Sequence, residues 1–117
     1  MKTRVLLVND NWHSCQSTEI NIRHKFKGIS IITCDNARDA IALIRADLPF
    51  ELVITNFNSV IIAAQAKHSE TKTIAVSGTL IKGEKMKGCT PDITLAVPFT
   101  NEELTEAVGY CLDGKLP

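Results

Sequence analysis

Four short apolar runs recur along the chain, and each ends in a small polar residue or a Pro-Phe pair. The runs are Val5–Asp10, Leu52–Asn56, Ile74–Gly78 and Leu95–Thr100. A nearly continuous apolar run of about six residues is typical of a parallel strand whose two faces are both covered. Together with a fifth, β-branched run, they predict strands at Thr3–Val8, Ile29–Cys34, Glu51–Asn56, Thr73–Ser77 and Ile93–Val97.

The segments between these strands carry helix signals. Thr100 and Glu103 have the spacing of a capping box, in which each side chain bonds the backbone amide of the other residue. Gly28 is expected to end the first helix in a left-handed conformation. The predicted helices are one from Asp10 or Asn11 to about Lys25, one capped by Asn36 and ended before Pro49, one at Val60–His68, a short one at Leu80–Lys87, and a last one that begins at Thr100.

Strands that alternate with helices, through connections too long for hairpins, predict an α/β fold with a doubly wound parallel sheet. In such sheets the ligand crevice lies beyond the carboxyl ends of the strands. Asn9, Asp10, Asn56 and Ser77 all follow or end predicted strands. We therefore expect any functional site to be built from these side chains.

Composition excludes several classes of protein. The 117 residues predict one domain, residues 1–117, with no room for an output domain, and the 13 basic and 13 acidic residues give no electrostatic case for nucleic-acid binding. No signal sequence or bilayer-spanning apolar stretch is present, so we expect a cytoplasmic protein without a membrane partner. The four cysteines are scattered, which favours buried thiols over a metal site.

The strand ends are similar to those of response-regulator receiver domains, the phosphoacceptor modules of two-component signalling. This resemblance implies a flavodoxin-like (βα)5 sandwich with strand order 2-1-3-4-5. It also shows where the chain departs from the family. Asn56 stands at the position of the phosphoacceptor aspartate, and Val97 replaces the lysine that precedes Pro98 and Phe99. Asn9 and Asp10 stand at the family's pair of acids, of which only Asp10 is retained.

Other positions follow from the same resemblance. Ser77 takes the place of the switch hydroxyl, and Thr94 takes that of a frequent aromatic switch residue. Asn58 falls where the family offers a backbone carbonyl to a metal. The segment between Asn56 and Ser77 is shorter than usual, which predicts a shortened third helix region.

An asparagine amide carries no charge and cannot accept a phosphoryl group as a carboxylate does. We expect no cofactor and no resident metal, since Asp10 alone would hold Mg²⁺ weakly. Asp10 also has a purely structural interpretation as the cap of the first helix. The leading hypothesis is a degenerate receiver, not an enzyme, that acts by protein–protein interaction without phosphorylation.

The resemblance also implies partners and a binding face. A histidine kinase or another signalling protein is the expected partner, and a homodimer would use the predicted fourth helix, the fifth strand and the last helix. The candidate residues on this face are Lys82, Lys85, Lys87, Thr94 and Phe99. The three lysines also fit a solvated helix face.

Two other functions stay open. The first is a regulator that still switches, either through Asp10, Ser77 or Ser59 as an alternative acceptor or through a small ligand in the crevice. The second is a flavodoxin-like enzyme or cofactor carrier. The absence of a glycine-rich phosphate loop after the first strand argues against it.

Overall fold

The computed structural model describes residues 3–46, 49–78 and 90–114. These residues form five strands and four helices in alternation, apart from the direct succession of the last two strands. The elements are β1 (Thr3–Val8), α1 (Trp12–Lys25), β2 (Ile29–Cys34), α2 (Ala37–Arg45), β3 (Leu52–Thr55), α3 (Asn58–Lys67), β4 (Lys72–Ser77), β5 (Ile93–Ala96) and α4 (Asn101–Cys111). The predicted helix at Leu80–Lys87, with Lys82, Lys85 and Lys87, lies outside the described residues.

The five strands form one parallel sheet in the order β2-β1-β3-β4-β5. The chain therefore moves outward from β1 to β2 and then crosses back to β3. This reversal creates a topological switch point between β1 and β3. The predicted fold class and strand order are confirmed.

The core consists of two apolar layers, one on each face of the sheet, because side chains alternate along a strand. In β1, Val5 and Leu7 face the layer that contains α1 and α4, whereas Leu6 and Val8 face the layer that contains α2 and α3. All four side chains are buried. Since both faces need apolar residues, the strand is a continuous hydrophobic run, which is the pattern that made it recognisable.

Helix caps follow the sequence closely, with one correction at the start of α1. Asn36 caps α2, and Thr100 and Glu103 form the expected capping box of α4. Asn11, not Asp10, caps α1, because the Asn11 side chain accepts the amide hydrogen of Ser14. Asp10 is therefore not the helix cap that its residue type suggested.

Gly28 does not itself end α1, which is a second correction. The chain leaves the helix at Phe26, which has extended backbone angles, and Gly28 follows two residues later with a φ of 73°. That left-handed conformation turns the chain into β2. The third helix also begins at Asn58 instead of Val60. No helix in the three described ranges is long and apolar enough to span a membrane.

Gly109 gives a first prediction, because it lies inside α4 without a conformational need for glycine. A Cβ built there would lie 3.7 Å from the Phe26 ring, an ordinary contact distance. Gly109→Ala is therefore expected to raise the free energy of unfolding by about 0.5–1 kcal/mol, through the backbone entropy that glycine loses on folding. Urea denaturation measures the change.

Gly114→Ala is the matched control for this prediction. Nothing lies within 4 Å of its Cβ position, but its φ is 76°. The same added methyl group should destabilise the fold by about 1 kcal/mol, because a left-handed backbone strains an L-residue. If the two variants shift stability in the same direction, the backbone argument is wrong.

Candidate functional site

The carboxyl ends of β1 and β3 meet at the switch point of the sheet. Val8 pairs with Thr55 at the end of the two strands, so the residues that follow project from the same edge. Asp10 and Asn56 are brought together there, and Asn56 Nδ2 donates a hydrogen bond to Asp10 Oδ1 at 2.9 Å. The centre of the crevice is therefore an amide–carboxylate pair.

The orientation of the Asn56 amide follows from this bond. Turning the amide over would bring its oxygen against the Asp10 carboxylate, and two acceptors repel each other. In the observed orientation Asn56 Oδ1 is buried and has no hydrogen-bond partner in the described part of the chain. The Asn56 NH₂ group therefore donates to the exposed Asp10 carboxylate, while the Asn56 Oδ1 atom is buried in the protein.

The polar side chains next to the Asp10–Asn56 pair accept hydrogen bonds from nearby backbone amides and so stabilise the turns after β1 and β3. Asn9 Oδ1 accepts the amide hydrogen of Asn11 at 2.8 Å, and Asn11 Oδ1 in turn caps α1 at Ser14. Thr55 Oγ1 accepts the amide hydrogen of Phe57 at 3.0 Å. These are local turns of the kind that Asn and Thr side chains stabilise without any charge. Neutral residues therefore suffice to build this edge.

The opposite wall of the crevice is formed by the ends of β4 and β5. Ser77 pairs with Ala96, and its carbonyl oxygen accepts the Val97 amide hydrogen at 3.1 Å. Val97 is 48% exposed and precedes Pro98 through a cis peptide bond. The residue that follows β5 therefore presents an apolar side chain at the surface of this wall.

The remaining candidate residues are spread over neighbouring elements. Asn58 is the first residue of α3. Thr94 lies on β5 in a shallow groove against α4. Phe99 is partly buried and packs against the core on the α4 side of the sheet, so only part of its ring is available to a partner.

The cysteines do not supply a nucleophile in the described residues. Burial raises the pKa of the Cys15 thiol, and the Glu19 carboxylate adds to the rise. Burial likewise raises the pKa of Cys34, with contributions from Asp39 and Asp35. Both side chains therefore stay protonated at neutral pH, and a protonated thiol is a poor nucleophile. Cys111 is buried, and Cys89 lies outside the described residues.

Comparison with known proteins identifies the fold. No protein family matches the chain by sequence, and no curated protein sequence matches it. A CheY-like response regulator receiver domain protein from Methanospirillum hungatei JF-1 superposes with a TM-score of 0.81 at 18% identity, over 97% of this chain and 96% of that one. The fold is therefore one that receiver domains share.

Two further structures show how far this fold extends. The receiver domain of the sensor histidine kinase PA1611 from Pseudomonas aeruginosa PAO1, with magnesium coordinated in its active-site cleft, has a TM-score of 0.78 at 17% identity and coverages of 96% and 98%. An adenylate cyclase from Rhodopirellula baltica has a TM-score of 0.76 at 15% identity, with coverages of 96% and 88%.

The chain has the receiver-domain fold of two-component response regulators, with a crevice at the usual edge of the sheet. Identities of this size establish the fold, while the chemistry has to be argued from the residues in the crevice.

Those residues do not fit a magnesium ion. Mg²⁺ requires several oxygen ligands in near-octahedral geometry, usually including one or two carboxylates. Asp10 is the only carboxylate among the residues that directly follow β1 and β3, and one of its oxygens already accepts the Asn56 amide hydrogen. No group of three or more His, Cys, Asp or Glu residues suited to a metal occurs within the described ranges.

Proposed function

We propose that this protein is a phosphorylation-independent receiver-like domain that acts by binding other proteins of a signalling pathway. The observation that carries the proposal is the hydrogen bond from Asn56 Nδ2 to Asp10 Oδ1. The bond supports the proposal because Asn56, which the resemblance sets at the phosphoacceptor position, is an uncharged amide held by the neighbouring carboxylate. The fold is retained, but the groups needed for phosphoryl capture are replaced.

The physical argument concerns charge. Phosphoryl transfer to a carboxylate needs an anionic nucleophile together with cations that neutralise the charge on the phosphoryl oxygens. Asn56 provides no anion, and Val97 provides no cation. A phosphoryl group in this crevice would meet Asp10 as an uncompensated negative charge. Phosphoryl transfer is therefore disfavoured twice, because residue 56 supplies no anionic nucleophile and residue 97 supplies no cation to stabilise the phosphoryl oxygens.

A second candidate function, a regulator that still switches, is favoured by one feature. Asp10 and Ser59 are both exposed, so each could meet a phosphodonor without a structural change. Asp10 is the stronger of the two, because a carboxylate is a better nucleophile than a serine hydroxyl. This hypothesis predicts a covalent phosphoryl adduct, and the leading proposal predicts none.

Incubation with acetyl phosphate and Mg²⁺, followed by intact-mass spectrometry, separates the two functions. We expect no mass increase, and no heat of binding when Mg²⁺ and beryllofluoride are titrated calorimetrically. A receiver domain with its aspartate intact is the positive control. A stable increase of one phosphoryl group, lost in Asp10→Asn or in Ser59→Ala, would overturn the proposal and identify the acceptor.

A further inference from the structure

A groove of about 390 Å³ lies between α1 and the segment that joins β5 to α4. Its volume is within the range of small-molecule binding sites. One wall is a row of short polar side chains, three or four residues apart along α1, which helical spacing places on one side of the helix. The row consists of the cap residue Asn11 and of Ser14, Ser17, Thr18 and Asn21.

The opposite wall of the groove is mostly apolar. Val97, Pro98 and Phe99 follow β5, and Asn101 begins α4 at the end of this wall. Val97 is exposed and Phe99 is partly buried, so both have apolar surface left for a ligand. None of the ten described residues that line the groove is Lys, Arg, Asp or Glu. The groove therefore favours an uncharged ligand.

One hydrogen bond joins the two walls of the groove. Asn21 Nδ2 donates to Asn101 Oδ1 at 2.8 Å, which leaves Asn21 Oδ1 as an acceptor and Asn101 Nδ2 as a donor without a partner in the described part of the chain. Because the bond holds the two amides together, this acceptor and this donor lie close to each other. Two neighbouring hydroxyl groups would match them, since a hydroxyl group both donates and accepts.

The hydroxyl groups of the α1 row are also available to a ligand. Thr105 of α4 donates its hydroxyl hydrogen back to its own helix. Within the described ranges, the hydroxyls of Ser14, Ser17 and Thr18 make no such bond. Ser and Thr are weaker helix formers than Ala, so helix stability does not explain the row. Solvation alone is the alternative explanation, but it does not require a polar wall to face an apolar one.

We propose that this groove binds a neutral saccharide. A sugar ring carries adjacent hydroxyl groups that both donate and accept, and its C–H face is apolar, so it matches a polar wall opposite an apolar one. The hydroxyls bond to the pair of Asn21 and Asn101 and to the α1 row, while the C–H face packs against Val97 and Phe99. An anionic ligand would find no Lys or Arg among the described lining residues. A purely apolar ligand would leave the polar groups of α1 unpaired.

The affinity should be modest, because the groove is open and its hydrogen-bonding groups are uncharged. Each neutral hydrogen bond contributes little net free energy, so we expect a dissociation constant of about 1 mM. This site goes beyond the proposed function, since it takes a small molecule and is separate from the hydrogen-bonded pair of Asp10 and Asn56.

NMR titration of the isotope-labelled natural chain with sugars tests the proposal. The neutral probes are glucose, maltose, cellobiose, lactose, sucrose and trehalose, and glucuronate is the charged counterpart of glucose. At least one neutral probe should shift the backbone amides of Ser14, Ser17, Asn21 and Asn101 and saturate with a dissociation constant of about 1 mM. Glucuronate should bind more weakly than glucose, because its carboxylate meets no cation in the groove.

Two variants locate the bound sugar. Asn21→Ala removes the free acceptor and should weaken binding by about fivefold or more, and Ser17→Ala removes one hydroxyl and should weaken it by about threefold. Ser17 is exposed and alanine favours a helix, so the Ser17→Ala variant keeps its fold whatever the effect of Asn21→Ala on α4. Gln16→Ala is the matched control. Gln16 is an exposed amide of the same helix that does not line the groove, so its removal should leave the affinity unchanged.

The outcomes are distinct. The proposal is overturned if no probe shifts the amides of the groove at about 50 mM, well above the expected dissociation constant. Binding that Asn21→Ala and Ser17→Ala leave unchanged also overturns it, because the sugar then lies elsewhere, and so does a preference for glucuronate over glucose. A phosphoryl adduct in the acetyl phosphate experiment would overturn the proposed function alone, since neither Asp10 nor Ser59 lines the groove.

Discussion

Replacing Asn56 with aspartate should lower the free energy of unfolding by about 2 kcal/mol at neutral pH in the absence of divalent cations. The variant loses the hydrogen bond from Asn56 Nδ2 to Asp10 Oδ1 and puts a carboxylate oxygen in place of the donor. Two unit charges 4 Å apart repel by about 4 kcal/mol at an effective dielectric constant of 20, and the exposure of Asp10 reduces that figure.

The pH dependence of this variant has a defined sign. The two carboxyl groups would share a proton, and the apparent pKa of the pair would rise above that of an unfolded aspartate. The folded state then binds a proton that the unfolded state has released. The repulsion between the two carboxyl groups is therefore absent below about pH 4, and it lowers the unfolding free energy of Asn56→Asp as the pH rises through the raised pKa.

Magnesium should restore the stability of Asn56→Asp, because two carboxylates now face one site. A ligand present at 100 times its dissociation constant stabilises the folded state by about 2.7 kcal/mol. The natural chain should show no shift in melting temperature with Mg²⁺. Thermal denaturation with and without the ion measures both effects, and an equal response of the two proteins would contradict the expectation.

Asn101→Asp is the matched control, since it makes the same amide-to-carboxylate change in a different role. Asn101 Oδ1 accepts the Asn21 Nδ2 hydrogen at 2.8 Å, so a carboxylate keeps this bond. Residue 101 also lies in the first turn of α4, where a negative charge interacts favourably with the helix dipole. We expect a change within about 0.5 kcal/mol. If Asn101→Asp lowers the free energy of unfolding as much as Asn56→Asp does, the added charge explains the effect, and the lost hydrogen bond to Asp10 does not.

The fold was largely predictable because the patterns that specify it are local. Continuous apolar runs located the strands, and the caps at Asn36 and Thr100 located two helix starts to the residue. The predicted start of α3 was wrong by two residues. The Phe57 cap makes no side-chain hydrogen bond, so no polar residue marked it. Capping residues are reliable signals only where the side chain itself accepts a backbone amide hydrogen.

The sequence predicted where the candidate site lies in the fold, but it did not predict which of its side chains hydrogen-bond to each other. The strand ends placed Asn9, Asp10, Asn56 and Ser77 at one edge because a parallel sheet brings carboxyl ends together. Asp10 and Asn11 were both candidates for the cap of α1, and the structure uses Asn11, whose side chain accepts the Ser14 amide hydrogen. Which of two adjacent capping residues is used depends on the backbone angles of the turn, which the sequence does not encode locally.

Contacts between distant segments lay beyond sequence reasoning. The hydrogen bond from Asn21 Nδ2 to Asn101 Oδ1 depends on α1 and α4 being neighbours, which only the sheet order determines. The same holds for Asp92, which carried no recognisable motif. It lies just before β5, 19 residues from its hydrogen-bonding partner Thr73, and the pair joins the two strands at the edge opposite the crevice.

Asp92→Ala should lower the free energy of unfolding by about 2 kcal/mol, an effect as large as that of Asn56→Asp. Asp92 Oδ2 accepts the Thr73 amide hydrogen at 2.8 Å and the Thr73 hydroxyl at 3.2 Å, while the Thr73 hydroxyl oxygen accepts the Asp92 amide hydrogen at 3.1 Å. Thr73 is fully buried. Without the carboxylate the Thr73 amide would lose its acceptor, at a cost of about 1–3 kcal/mol. Asp92 itself is exposed, so water offsets part of that loss.

Asp92→Asn and Thr73→Val separate the parts of this prediction. The asparagine keeps an acceptor of the same shape without the charge, so it should cost about 1 kcal/mol. The valine removes the hydroxyl but leaves the Thr73 amide bonded to the carboxylate, so it should cost less than Asp92→Ala. Chemical denaturation gives the ranking. If Asp92→Asn lowers the free energy of unfolding as much as Asp92→Ala does, the charge of Asp92 accounts for the whole effect. If neither variant lowers it, the hydrogen bonds between Asp92 and Thr73 do not stabilise the position of β5.

Because β5 leads directly to Val97, a weakened link between Asp92 and Thr73 should also increase amide exchange at Val97 and Ser77, which hydrogen exchange would detect.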